Sequence, residues 1–162
     1  MGPREGRPRP QKESRDDGAV ISILDTSAFS AAMRREPGMI AFLRARQPGD
    51  VATVPPVVAE IEYGVQATDA SSAKRSLLEA EKGRLLGVVK VLPWTDTASK
   101  LFGTLKAALE RDGTPLDDFD TAVAALALSH DARLVTAEPS RFARIAGLSC
   151  GHWSERAAGD GP

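Results

Sequence analysis

Short apolar segments alternate with longer helical segments along most of this chain, and that alternation restricts the folds open to it. Residues 19–24, 51–54, 88–92 and 133–136 are predicted strands, because each is a brief apolar run bounded by polar or turn residues. Residues 148–150 form a candidate edge strand. Strands joined through helices lie parallel, so we predict the α/β class: a three-layer α/β/α sandwich around a central, mostly parallel sheet.

The helical segments carry their own start and stop signals. The segment between the first strand and Arg46 is predicted to be helical. Thr95 is a predicted N-cap, and Gly113 is the predicted end of the helix that Thr95 begins. A further helix is predicted over 118–129, with Phe119 on its buried side.

Chain length and composition predict one domain over residues 19–153 of the 162-residue chain. Residues 1–18 have few large apolar side chains, so we predict a disordered N-terminal extension. Residues 154–162 are predicted to be a flexible C-terminal tail. The 21 basic and 22 acidic side chains nearly balance, so nucleic-acid binding would require a local basic patch.

Few soft metal ligands are present. Cys150 is the only cysteine, which excludes an internal disulfide and a multi-thiolate zinc site. His130 and His152 lack the spacing of a zinc-protease pair and are interpreted as ordinary packing or surface residues. A bound metal would therefore use oxygen ligands, as Mg²⁺ or Mn²⁺ does. No membrane-spanning run or secretory signal is recognised, and we expect a cytoplasmic protein.

Four carboxylates are predicted to converge at one edge of the sheet. Asp25 ends the first strand, Glu138 follows the fourth strand, and Glu60 lies one turn into the helix after the second strand. Asp120 lies in the first turn of the helix that precedes the fourth strand. The carboxyl ends of parallel strands face one crevice. Crowded carboxylates repel one another unless a cation neutralises them, so this group predicts a divalent-metal site that activates water for attack on phosphorus.

Each acid also has a structural interpretation. Asp25 is equally suited to capping the next helix, and Asp118 is the predicted cap of the helix that contains Asp120. Glu60 is preferred to Glu62 as a site residue, because residues two apart on a helix point in nearly opposite directions. A soluble α/β domain with unrelated surface acids remains an alternative.

Taken together, these segments resemble the VapC branch of the PIN-domain superfamily. The resemblance covers residues 21–153 and depends on the order of its motifs, since each motif alone is weak. The motifs are Leu24-Asp25-Thr26-Ser27, Ala59-Glu60-Ile61-Glu62-Tyr63-Gly64, Asp120-Thr121-Ala122-Val123-Ala124-Ala125, Leu134-Val135-Thr136, and Phe142 with Ala146-Gly147-Leu148.

The resemblance implies a PIN-like fold and an endoribonuclease that cleaves single-stranded RNA with Mg²⁺ or Mn²⁺. Asp25, Glu60 and Asp120 match the family's three metal-site acids, with Asp25 and Asp120 as the implied metal ligands. Glu138 departs from the pattern, because many relatives have aspartate or asparagine there. A homodimer and neutralisation by a small VapB-type antitoxin, whose tail fills the active-site groove, are also implied.

Basic residues near the acids are candidates for holding the RNA backbone. These candidates are Arg34, Arg35, Lys100, Lys106, Arg141 and Arg144. Two further functions stay open: a housekeeping PIN nuclease that matures RNA, and a PIN-like module without turnover in a DNA-bound protein complex.

Overall fold

The computed structural model describes residues 20–155. The extension predicted over 1–18 lies outside the described residues, and so does the C-terminal tail beyond Glu155. The strands are β1 (Ser22–Leu24), β2 (Val51–Thr53), β3 (Lys90–Val91), β4 (Arg133–Val135) and β5 (Cys150–Gly151). The helices are α1 (Thr26–Met33), α2 (Pro37–Arg44), α3 (Pro55–Gln66), α4 (Ala73–Leu86), α5 (Asp96–Arg111) and α6 (Asp118–Ser129).

The five strands form one sheet in the order β3-β2-β1-β4-β5, and every pair is parallel. Ser22 at the start of β1 aligns with Val51 on one side and with Arg133 on the other. The predicted α/β fold with a parallel sheet is therefore confirmed. The candidate edge strand exists as β5, shifted by a residue or two towards the carboxyl terminus.

The core surrounds the central strand and the last long helix. Ile23 and Leu24 of β1 are fully buried. Every residue of α6 from Thr121 to Ala127 is also buried, so this helix is enclosed on nearly all sides. Its first turn differs, because the Phe119 ring is 46% exposed. The prediction that Phe119 faces the core is wrong, because this residue lines a surface cleft with Trp94 and Phe102.

The helical segment before Arg46 is two helices. Helix α1 ends at Met33, and Arg35 then adopts a left-handed backbone with φ of 54°. Pro37 begins α2, where its missing N–H costs no helical hydrogen bond. The prediction of one helical segment is therefore incomplete: Pro37-Gly38 marks the break, and an arginine rather than a glycine adopts the left-handed conformation before it.

The boundaries of α5 follow the predicted signals. The Thr95 Oγ1 accepts a hydrogen bond from the Ala98 N–H at 3.1 Å, which caps the helix. Gly113 has a φ of 71° just after the helix end, a conformation that glycine adopts without strain. Among residues 20–155, no helix combines the length and apolar character needed to cross a bilayer.

Candidate active site

Asp25 lies at the carboxyl end of β1 and is only 6% exposed. Its backbone N–H donates to the Val135 carbonyl of β4 at 3.0 Å. Its Oδ1 accepts hydrogen bonds from Ser27 Oγ at 2.6 Å and from the Ala28 N–H at 2.9 Å. Asp25 is therefore the N-cap of α1, and the capping interpretation and a position at the sheet edge both hold for this residue.

Glu60 is linked to the same edge through α1. Thr26 Oγ1 donates to Glu60 Oε1 at 3.0 Å, so this carboxylate lies beside the residue that follows Asp25. Glu62 instead accepts hydrogen bonds from Lys82 and from Gln66. The two glutamates therefore point in different directions, and Glu60 is the one associated with Asp25.

Asp120 occupies the first turn of α6, and its side chain is 17% exposed. Asp117 Oδ1 accepts a hydrogen bond from the Asp120 N–H at 2.8 Å, so Asp117 caps the helix. The prediction that Asp118 is the cap is wrong. Asp118 is the first helical residue and pairs with Lys106 at 2.8 Å.

Burial and crowding alter the acidity of Asp120. Desolvation, followed by repulsion from Asp117 and from Asp25, raises its pKa to about 6, although the Arg141 guanidinium acts in the opposite direction. Because the Asp25 charge contributes to this shift, the carboxylates of Asp25 and Asp120 lie close enough to interact electrostatically. A shift of this kind in a crevice is typical of a functional site.

Arg141 lies among the acids contributed by the later part of the chain. It belongs to a 3₁₀ turn over Pro139–Phe142, and its Nη2 is hydrogen-bonded to Asp120 Oδ2. The same Nη2 is 3.7 Å from Asp117 Oδ2, and its Nε is 3.7 Å from Glu138 Oε2. One guanidinium thus lies among three carboxylates.

The Ser27 hydroxyl joins the two sides of the site. It donates to Asp25 and accepts a hydrogen bond from the Ala137 N–H at 2.9 Å. Glu138 comes next, with its N–H donating to Thr136 Oγ1 at 3.3 Å, but its side chain is 64% exposed. Glu138 is thus the least enclosed of the four predicted acids.

The possible ligands are carboxylates, which suit a hard divalent cation. They are crowded enough to raise the pKa of Asp120. Within residues 20–155, however, no three acidic, histidine or cysteine side chains are arranged to hold a metal. Protein donors occupy these carboxylates instead: a hydroxyl and an amide at Asp25, a hydroxyl at Glu60, and a guanidinium at Asp120. Asp25, Glu60 and Asp120 could hold the cation after these side chains reorient.

The other predicted RNA contacts differ in their positions. Arg34 lines a groove together with Thr26 and Glu60, while it also pairs with Glu36. Arg35 is paired with Glu81, and Lys100 is exposed on α5. Arg141 is thus the predicted contact that lies among the acids. The roles of Thr26 and Ser27 were not recognised in the sequence, although hydroxyls directly after Asp25 were a usable signal.

Comparison with known proteins identifies the family. The PIN-domain model matches residues 22–148, which span strands β1 to β4 and every helix described above. The chain belongs to the PIN-domain family.

Its curated relatives are ribonucleases of the VapC type. The chain is 24% identical to ribonuclease VapC2 of Rickettsia felis over 140 residues, which cover 84% of this chain and 100% of the relative. It is 24% identical to the tRNA(fMet)-specific endonuclease VapC of Shigella flexneri over 132 residues, covering 82% and 97%. It is 27% identical to VapC ribonuclease Y4jK of Sinorhizobium fredii over 130 residues, covering 78% and 92%.

Solved structures share the fold. The Rickettsia felis VapBC2 complex bound to a promoter DNA fragment aligns with a TM-score of 0.74 and 24% identity, covering 83% of this chain and 99% of that one. VapBC-1 from nontypeable Haemophilus influenzae aligns with a TM-score of 0.72 and 23% identity, covering 84% and 100%.

Proposed function

We propose that this chain is the endoribonuclease toxin of a VapBC-type pair, cleaving single-stranded or loop regions of RNA with Mg²⁺ or Mn²⁺ in the cytoplasm. The observation that carries the proposal is the position of Asp25 at the carboxyl end of β1 in a PIN-domain sheet, with Glu60 hydrogen-bonded to the adjacent Thr26 and Asp120 close enough to feel the Asp25 charge. Its curated relatives are named as ribonucleases, which supports the same chemistry.

The side chains have distinct roles in this proposal. Asp25 and Asp120 would hold the divalent cation, which when bound polarises the phosphate and activates a water molecule. Ser27 fixes the Asp25 carboxylate through its 2.6 Å hydrogen bond. Thr26 fixes the Glu60 carboxylate through its own hydrogen bond. Glu60 would orient the attacking water or accept a proton from it. Glu138, exposed at the mouth of the site, would act through water.

Cleavage of RNA by the purified chain is expected to require Mg²⁺ or Mn²⁺ and to stop in excess chelator. A structured RNA with unpaired loops serves as substrate, and its fragments are resolved by gel and mapped at their ends. Adding the metal back after chelation should restore cleavage, which shows that the chain remained folded. Cleavage that persists in chelator would contradict the proposed metal chemistry.

We also propose that an antitoxin segment occupies the groove between α1, α3 and α4. This groove has a volume of about 540 Å³ and opens beside Thr26 and Glu60, with Leu77 and Leu78 on its far wall.

Expression of the chain alone should arrest growth, and co-expression of a small gene directly upstream should relieve the arrest. A housekeeping nuclease would lack such a gene, and a module without turnover would cause no RNA cleavage.

Homodimerisation is the remaining part of the proposal, and an apolar cleft supports it. The cleft has a volume of about 400 Å³ between α3, α5 and α6, with Pro55 and Ala59 among its lining residues. Trp94 and Phe119 line it while 43% and 46% exposed, respectively. A second copy offers the same half-exposed rings, so a two-fold contact here is self-complementary.

A Phe119→Ser variant is expected to weaken the dimer by about tenfold or more, because a central aromatic ring often contributes about 2 kcal/mol to an interface. Sedimentation equilibrium or light scattering after gel filtration measures the change. Leu77→Ser is the matched control, since this side chain is 61% exposed on α4 and lines the other groove. Dimerisation unaffected by Phe119→Ser would exclude this surface.

A further inference from the structure

Arg141 brings a positive charge to the position at which the proposed function requires a divalent cation. Its guanidinium is hydrogen-bonded to Asp120, the most enclosed of the three carboxylates around it. The bonded oxygen is Oδ2 of Asp120, one of only two oxygens that this side chain can offer to a metal. Asp25 and Glu60 are held by neutral donors, whereas Asp120 is held by a full charge.

Building on the proposed function, we propose that Arg141 is an internal competitor of the metal, which occupies Asp120 in the metal-free protein and must leave it before the cation binds there. A guanidinium and a divalent cation on one carboxylate repel each other strongly at this range. The two states therefore exclude each other, and metal affinity depends on how readily Arg141 leaves.

The structure provides a second place for the guanidinium. Asp117 and Glu138 each lie 3.7 Å from Arg141, beyond hydrogen-bond distance but close enough to receive it after a small rotation. Both carboxylates are well exposed, at 62% and 64%, compared with 17% for Asp120. Arg141 can therefore move towards solvent without losing all of its ionic partners.

The backbone that carries Arg141 is fixed, so the movement is confined to the side chain. Phe142, the next residue, is 1% exposed in the core, and Pro139 begins the same 3₁₀ turn. The Arg141 side chain itself is 47% exposed. Once displaced, the guanidinium lies at the mouth of the site, where a phosphate of bound RNA would be its natural partner.

Mn²⁺ titration of the purified full chain tests the competition without depending on catalysis. By calorimetry, Arg141→Ala is expected to bind Mn²⁺ about three- to tenfold more tightly than the unaltered chain. Arg144→Ala is the matched control, because Arg144 is an exposed arginine three residues further on that lines a pocket with Asp117 and Arg141. Its Mn²⁺ affinity should change less than twofold, which separates direct competition from a general change in charge.

A second measurement observes the exchange itself. The ¹⁵N Nε–Hε resonance of Arg141, assigned by its loss in the Arg141→Ala variant, should move when Mg²⁺ is added, while the Arg144 resonance should not. Equal Mn²⁺ affinity in Arg141→Ala and the unaltered chain would overturn the competition and leave the proposed function standing. Absence of Mn²⁺ binding by both proteins would overturn the proposed function and the competition together.

Discussion

An Asp25→Asn variant is expected to fold normally and to cleave RNA about 10²- to 10³-fold more slowly. Asparagine keeps the Oδ1 that accepts from Ser27 and from the Ala28 N–H, so α1 retains its cap. The variant loses the negative charge that would hold the cation. Metal stabilisation of a phosphoryl transition state contributes several kcal/mol, and each 1.4 kcal/mol corresponds to a tenfold change in rate.

Two companion variants separate the roles of this residue. Asp25→Ala removes the cap as well as the charge, so it should lose activity similarly and also about 1 kcal/mol of unfolding free energy. Asp118→Asn changes an aspartate that is 66% exposed and paired with Lys106, and it should retain activity. Single-turnover cleavage and urea unfolding measure both properties. An Asp25→Asn variant with full activity would contradict the assigned role.

Replacement of Asp120 by asparagine is expected to stabilise the metal-free protein near neutral pH. The pKa of Asp120 is raised to about 6 in the folded chain, mainly by desolvation and by repulsion from Asp117. The folded state therefore favours the protonated carboxyl more than the unfolded state does. Stability is lost as the pH rises from about 4 through 6, and at pH 7.5 the charged carboxylate lowers the unfolding free energy by about 1–3 kcal/mol.

Asparagine removes this penalty, although it also weakens the contact with Arg141. The free energy of unfolding of Asp120→Asn should therefore exceed that of the unaltered chain by about 1–3 kcal/mol at pH 7.5. This difference should shrink as the pH falls towards 4. Urea unfolding in chelator at several pH values measures it, with Asp118→Asn as the control. A less stable Asp120→Asn variant at pH 7.5 would mean that the ion pair with Arg141 outweighs the repulsion.

Most of the helices and strands could be predicted, because the signals that define them lie in consecutive residues. The apolar run before Asp25 became the central strand, and the Thr95 cap and Gly113 stop gave the limits of α5. The break between α1 and α2 was missed, although Pro37 signals it. The left-handed turn itself is made by Arg35, whereas glycine usually marks such a position.

The acids of the site were predicted as a sheet-edge group, but their immediate partners were not predicted. Asp25, Glu60 and Asp120 follow from the rule that parallel strands direct their carboxyl ends towards one crevice. The contact of Asp120 with Arg141 depends on how the turn after β4 packs against α6. That contact is tertiary, so no local pattern encodes it.

The sheet order has a consequence for synthesis on the ribosome. Strand β1 pairs with β2 on one side and with β4, more than 100 residues later, on the other. The central strand therefore stays half-paired until nearly the whole domain has been translated, and such distant pairing forms slowly. An emerging chain has Asp25 long before it has Asp120 and Arg141, so the proposed metal site cannot assemble until translation of the domain is nearly complete.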